Sequence, residues 1–257
     1  MKIRRTVGLL LVFIVWANSS LAQKRFSHEI GVFAGPVFFQ SDYGLNRNFD
    51  TNKGNVGPGI GIFHTFNFSY QAGCNCYTSD KYFNHHFKVR VEANYHFTKL
   101  DHFGPLSERR SIGGLQLRSM HGETEVFEVG AQLEWFPWSI RGFDAGQYRL
   151  APYIGLGPHY VTYSPDAYSE LGPLGNPITT FPTFLDRIDL DSGSTWALVG
   201  YVGTRYKLNS YSDLMFEARW HWYDSNWVDG LSPNIADNKN NDWIFWIAVG
   251  YVYYLDW

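Results

Sequence analysis

The clearest pattern in the chain is a two-residue alternation. From Phe87 to Phe97 every second residue is apolar: Phe87, Val89, Val91, Ala93, Tyr95 and Phe97. Between them stand Lys88, Arg90, Glu92, Asn94 and His96. A period of 2 puts the two sets on opposite faces of an extended strand. One face is greasy and the other carries charges of both signs. The alternation recurs at Phe127–Trp135, at Trp196–Tyr206 with Arg205 and Lys207 on the far side, and at Leu214–Trp222 with Glu217, Arg219 and His221 on the far side. Weaker versions run over 28–40, 57–70, 148–163 and 242–254. Eight strands are therefore expected. Gly57, Gly59 and Gly61 share one face, and small inward residues in a narrow barrel leave room for long side chains opposite.

The connections alternate long and short. Segments 41–54, 99–120, 164–193 and 224–241 form one set, and 71–82, 138–147 and 209–212 the other. Outer-membrane barrels show this asymmetry, with short periplasmic turns and long outer loops. Composition points the same way. Mean hydropathy is −0.25, yet aromatic residues make up 18% of the chain, with 10 Trp and 17 Tyr. Abundant Trp and Tyr at modest hydropathy fit the aromatic girdles of a membrane barrel. The expected fold is all-β: an eight-stranded antiparallel up-and-down transmembrane β-barrel with a filled lumen. A soluble lipocalin-like barrel or a β-sandwich also alternates, but a lipocalin lumen should be apolar. Here the inward face is charged.

An eight-stranded barrel is just wide enough for side chains to fill, so inward charges must pair. Parity places Glu29, Lys88, Arg90, Glu92, Glu128, Glu134, Arg205, Lys207, Glu217 and Arg219 inside, five acids and five bases. The core of this expected network is Arg90, Glu92, Glu128, Arg205, Glu217 and Arg219. Such a lumen should conduct little. Net charge is −3, with no basic footprint for nucleic acid.

The first 22 residues have the form of a secretory signal: Lys2, Arg4 and Arg5, then an apolar run from Val7 to Ala17, then Ser20-Leu21-Ala22. The run of about 11 residues is too short to span a bilayer as a helix. Residues 1–22 are thus expected to be a signal peptide and 23–257 the outer-membrane barrel domain, with both termini periplasmic.

Three stretches carry a resemblance: "FSHEIGVFAGPVFFQSDYG", "CNCYTSDKYFNHHFK" and "NDWIFWIAVGYVYYLD". The chain resembles an uncharacterised family of Bacteroidota outer-membrane proteins along nearly all of residues 23–257. More distantly it is similar to the PorG-like barrels of type IX secretion. It departs from the latter at Pro36-Val37-Phe38-Phe39, where that pattern has a Gly-Ser-Asn type stretch. The resemblance implies a barrel associated with a secretion or envelope assembly. Fold kinship alone does not carry function.

Candidate chemistry is sparse. Cys74 and Cys76, the two cysteines of the chain, lie one residue apart in an expected periplasmic segment. In that compartment they could form a small strained disulfide, a labile thiol pair or, less readily, a soft-metal or redox site. His85 and His86 are expected at a strand entrance, on opposite faces. "DRIDLDSGS" at 186–194 loosely resembles a calcium loop but misses the EF-hand spacing. His221, with Ser225 or Asp224 beyond it, is the one cluster to inspect for a nucleophile and base. No cofactor motif, Gly-x-Ser-x-Gly or metalloprotease motif occurs. The expected role is a structural or interaction subunit of the cell envelope. Its expected contacts are outer-membrane lipid, lipopolysaccharide and a periplasmic or envelope protein. The alternative is an outer-membrane enzyme acting on lipid or peptide.

Overall fold

Eight strands close into one barrel in the computed structural model, which describes residues 27–44, 48–69, 82–233 and 241–255. They are β1 Ser27–Gln40, β2 Val56–Asn67, β3 Phe87–Asp101, β4 Met120–Trp135, β5 Leu150–Ser169, β6 Gly193–Asn209, β7 Ser212–Tyr223 and β8 Trp243–Tyr254. Each pairs antiparallel with its sequence neighbour, and β1 pairs with β8 through partners such as Val32 and Tyr251. This is an up-and-down barrel without a free edge, so its sheet has no unpaired strand to template association.

Strands β3 to β6 extend further toward the long-loop end than the alternation indicated. The β3–β4 ladder continues to Asp101 opposite His121, and the β4–β5 ladder to Met120 opposite Ser169. Among the described residues three short α-helices sit in the connections: α1 Tyr82–His86, α2 Ile112–Arg118 and α3 Ile140–Asp144. Ser111 caps α2 by accepting from Gly114 N at 3.2 Å, and Ser139 caps α3 by accepting from Gly142 N at 3.3 Å. His85 and His86 stand at the entrance of β3 as expected, but on the helix α1 rather than on extended strand, so the opposite-face reading does not apply. Segment 138–147 is likewise more than a turn, since α3 folds within it.

The polarity of the barrel is inverted relative to a water-soluble protein. Ile60, Ile62, Leu156, Trp196, Leu198 and Val249 are half or more exposed on the outer wall, or close to it. Lys88, Arg90, Glu128, Glu134, Arg205 and Arg219 are 0% exposed within. Gly59 and Gly61 face inward where large side chains cross the lumen. A Cβ at Gly61 would collide with the Phe33 ring, and one at Gly59 would stand 2.6 Å from the Trp246 ring. Among the described residues no helix is long and apolar enough to cross a membrane, which bears on helices only.

Candidate functional site

The lumen holds a continuous ionic network. Toward the short-connection end, Glu29 on β1 takes Lys88 Nζ of β3 at 2.6 Å and the Arg205 guanidinium of β6. Arg205 also reaches Glu134 of β4 at 3.4 Å. Midway, Arg90 of β3 contacts Glu92 at 2.7 Å, Glu217 at 2.5 Å and Glu134 at 3.5 Å. Arg219 of β7 contacts Glu217 at 2.6 Å and also Glu92. Tyr153 Oη donates to Glu217 at 2.6 Å, and Tyr201 Oη to Glu134 at 3.1 Å. The guanidinium of Arg90 stacks 3.9 Å from the Phe63 ring centroid, and that of Arg219 lies 4.7 Å from Phe33. Planar, always-charged Arg suits such forked and stacked contacts better than Lys.

Two acids that the alternation did not indicate join this network. Asp213, at the start of β7, lies 3.3 Å from Lys207 Nζ and accepts from Tyr254 Oη at 2.5 Å. Asp144, the last residue of α3, approaches Lys207 at 3.9 Å and accepts from Asn67 Nδ2 at 3.2 Å. Phe143 of the same helix lies beneath Lys207, 4.4 Å from its nitrogen. Helix α3 thus closes the short-connection end of the lumen. Nearer the long-loop end, Glu128 stands among His96, His159, His221 and Tyr223.

The long loops fold over the other end as a packed cap. Val228 and Leu231 are fully buried, and Thr124 on the lumenal wall donates to Val228 O at 2.7 Å. Ile188 and Leu231 form a bridge that ties the β5–β6 loop to the β7–β8 loop. Three buried carboxylates meet here: Asp42, Asp229 and Asp242. Asp229 accepts from the amides of Asp42 at 2.6 Å and Leu231 at 2.8 Å; Asp242 accepts from Val228 N at 3.1 Å. Asn226 Nδ2 donates to Asp42 at 2.9 Å. Burial outweighs those amides and pushes the Asp229 carboxyl up to about 7. Burial, with Asp229 and Asp42 beside it, raises Asp242 well above the usual carboxylate range. Beside this cluster a cavity of about 320 Å³ is walled by Tyr43, His102, Leu106, Leu117, Phe181 and Phe184. His102 Nδ1 donates to Tyr43 O at 2.6 Å, and burial lowers its ring to about 4, so it is neutral.

The remaining candidates separate. His221 turns to Glu128, while Ser225 Oγ accepts from Trp227 N, so His221 and Ser225 form no nucleophile–base pair. Asp186, Asp189 and Asp191 do not converge, and Asp189 accepts instead from the Asp191 amide at 3.0 Å. Cys74 and Cys76 lie outside the described residues.

No family model matches the chain. No curated protein matches it either. Among solved structures it is similar to Neisserial surface protein A at 13% identity, over 88% of this chain and 96% of that one, with a TM-score of 0.47. A major outer membrane protein of Thermus thermophilus matches at 11%, over 89% and 99%, with a TM-score of 0.46. The attachment invasion locus protein of Yersinia pestis matches at 11%, over 90% and 99%, with a TM-score of 0.43. Likenesses this distant say nothing of function, and the fold stands on the barrel's own strand pairing.

Proposed function

We propose that this protein is an outer-membrane β-barrel whose lumen is closed and whose loops form its contact surfaces: a structural or interaction subunit of the cell envelope. Inverted polarity carries this reading. A wall of half-exposed Ile, Leu, Val and Trp encloses buried Arg, Lys and Glu. Contiguous apolar surface of that extent marks contact with a partner or a membrane, and a closed barrel satisfies every strand hydrogen bond inside a bilayer. The proposal includes a signal peptide at 1–22, both termini in the periplasm and the four long loops outside. Lipid contacts the belt, and lipopolysaccharide the rim. Envelope partners would dock on the outer cap or on the 71–82 connection that carries Cys74 and Cys76. A link to a type IX secretion-like assembly rests on the sequence resemblance alone.

Function as a closed scaffold predicts a simple electrical result. The protein, inserted into planar bilayers, should give no large steady conductance, because Arg90, Arg205 and Arg219 cross the lumen in ion pairs. A porin-sized channel would overturn the closed-lumen reading. Recovery of a reproducible envelope partner from native membranes, lost when the 71–82 segment or a loop of the cap is replaced, supports the interaction role. Lipid or peptide turnover by the purified barrel would favour the enzyme alternative.

A further inference from the structure

The lumenal carboxylates are not alike. Glu29, Glu92, Glu134, Asp144, Asp213 and Glu217 each have a Lys or Arg nitrogen within 3.9 Å. Glu128, fully buried at the middle of β4, has none among the described residues. Its Oε2 lies 2.7 Å from His221 Nδ1 and 3.0 Å from His159 Nδ1. Its Oε1 accepts from Tyr223 Oη at 2.8 Å and stands 3.8 Å from His96 Nε2. A buried carboxylate without a compensating positive charge is costly, so this one must be balanced by a proton on a neighbouring imidazole or by a metal cation.

The hydrogen bonds around His159 narrow what its ring can do. Its Nε2 faces Glu92 Oε1 at 3.4 Å and the Gln132 side-chain amide. Gln132 Oε1 otherwise has no hydrogen-bond partner among the described residues, and the contact is satisfied when that oxygen accepts from Nε2–H. A neutral ring with its hydrogen on Nε2 then aims a bare lone pair from Nδ1 at Glu128 Oε2. Two acceptors would then face each other at 3.0 Å, a contact that needs a proton or a cation between them. A carboxylate or amide holding the far nitrogen is also what fixes a metal-ligating imidazole. His221 is held less firmly, since its Nε2 has only a 3.4 Å contact from Arg219 Nε. That contact must yield when Nδ1 takes a metal and Nε2 takes the hydrogen.

We propose that Glu128, His159 and His221 form a binding site for a borderline divalent transition-metal ion of the zinc class, with His96 as the neighbouring fourth donor. Their donor atoms all lie within 4.8 Å of one another and all three residues are buried. Two imidazole nitrogens and one carboxylate oxygen are a zinc donor set, and imidazole ligands suit zinc, copper, nickel and iron over calcium or magnesium. His96 Nε2, the nitrogen that faces Glu128, pairs with Tyr223 Oη at 3.0 Å and must release that phenol to join the ion; its Nδ1 is buried and has no hydrogen-bond partner among the described residues. The ion replaces the proton held between His159 and Glu128, and that proton leaves to solvent, so binding weakens as pH falls. The site needs only the barrel fold and does not depend on the proposed envelope role.

The test is to refold the full chain from urea into detergent with Co2+ or Zn2+, remove unbound metal by gel filtration, and measure metal per chain. The expected result is about one ion per folded barrel, a visible Co2+ spectrum of low coordination number, and release of about one proton per ion. H159Q/H221Q should lose the ion. Zinc X-ray absorption on the unaltered protein needs no variant, so it holds even if H159Q/H221Q fails to fold. It should show two or three imidazole nitrogens at about 2.0–2.1 Å. A folded barrel with no stoichiometric metal overturns the proposal, leaving the histidines as a proton store. So does an all-oxygen zinc shell. So does metal that persists in H159Q/H221Q but disappears in H64N, because His28 and His64 stand 3.2 Å apart outside the lumen as a competing pair.

Discussion

Two groups of buried acids in this molecule are neutralised in opposite ways. In the mid-lumen, Glu92, Glu134 and Glu217 meet Arg90, Arg205 and Arg219. In the long-loop cap, Asp42, Asp229 and Asp242 meet one another and backbone amides. Arg cannot be deprotonated in a protein, so the first group carries its counter-charge permanently. In the second, burial penalises the charged form and raises the Asp229 carboxyl to about 7, so the group takes up protons. A barrel that must hold its shape is thus built on fixed ion pairs. The loop plug above it rests on charges that pH can alter.

The largest effect should come from breaking the fixed network. Arg90→Met leaves Glu92 and Glu217 short of a partner and should cost about 3–5 kcal/mol in urea unfolding, the usual cost of orphaning a buried charge. The matching change in the cap, Asp229→Asn, removes a like charge and should cost far less at neutral pH. Equal costs would erase the distinction between the two groups.

Next comes the outer wall. Val91, 41% exposed, lies near the middle of β3. Val91→Arg should cost about 2–4 kcal/mol if it sits near the bilayer midplane. Folding into vesicles with no loss would contradict a lipid-facing position.

A smaller effect separates the cap by pH. A carboxyl whose folded pKa lies above its unfolded value holds its proton more tightly when folded. The stability it contributes is therefore present at low pH and is lost as pH rises from about 4 through about 7. Proteolysis or amide exchange in 224–233 should speed up across that window while the strands stay protected. Asp229→Asn should flatten the dependence; a cap that loosens as pH falls would reverse the assigned sign.

The smallest effect concerns Cys74 and Cys76. A membrane-impermeant thiol reagent should fail to label them in intact cells, even after mild reduction, and succeed after permeabilisation. Labelling of intact cells would turn the barrel over.

The fold was legible because alternation is a local rule. An unbroken run such as 87–97 fixes both the strand and its inward face, and Lys88 and Asn94 could be placed from parity alone. Residues at the margins of those runs were not legible. Asp213 precedes the first clear apolar residue of β7. Asp144 belongs to a one-turn helix inside a segment read as a turn. His159 alternates inward but is not a Lys, Arg, Asp or Glu, so a search for fixed charges passes over it. Asp42, Asp229 and Asp242 look like solvated loop acids in the sequence. Packing of the β1–β2 and β7–β8 connections against each other brings them together, and no local pattern encodes that packing.

The central claim is that the apolar wall faces lipid and the charged one faces a closed lumen. With Cys74 and Cys76 replaced by Ser, single cysteines at Val91, Leu133 and Val249 would carry a nitroxide label in vesicle-embedded protein, with an exposed loop position such as Ile178 as reference. The account predicts that labels at the three strand positions collide freely with dissolved oxygen and hardly at all with a water-soluble nickel chelate, while the loop label shows the reverse. Nickel accessibility at Val91, Leu133 and Val249 equal to that at Ile178 would place the apolar wall in water and contradict the account.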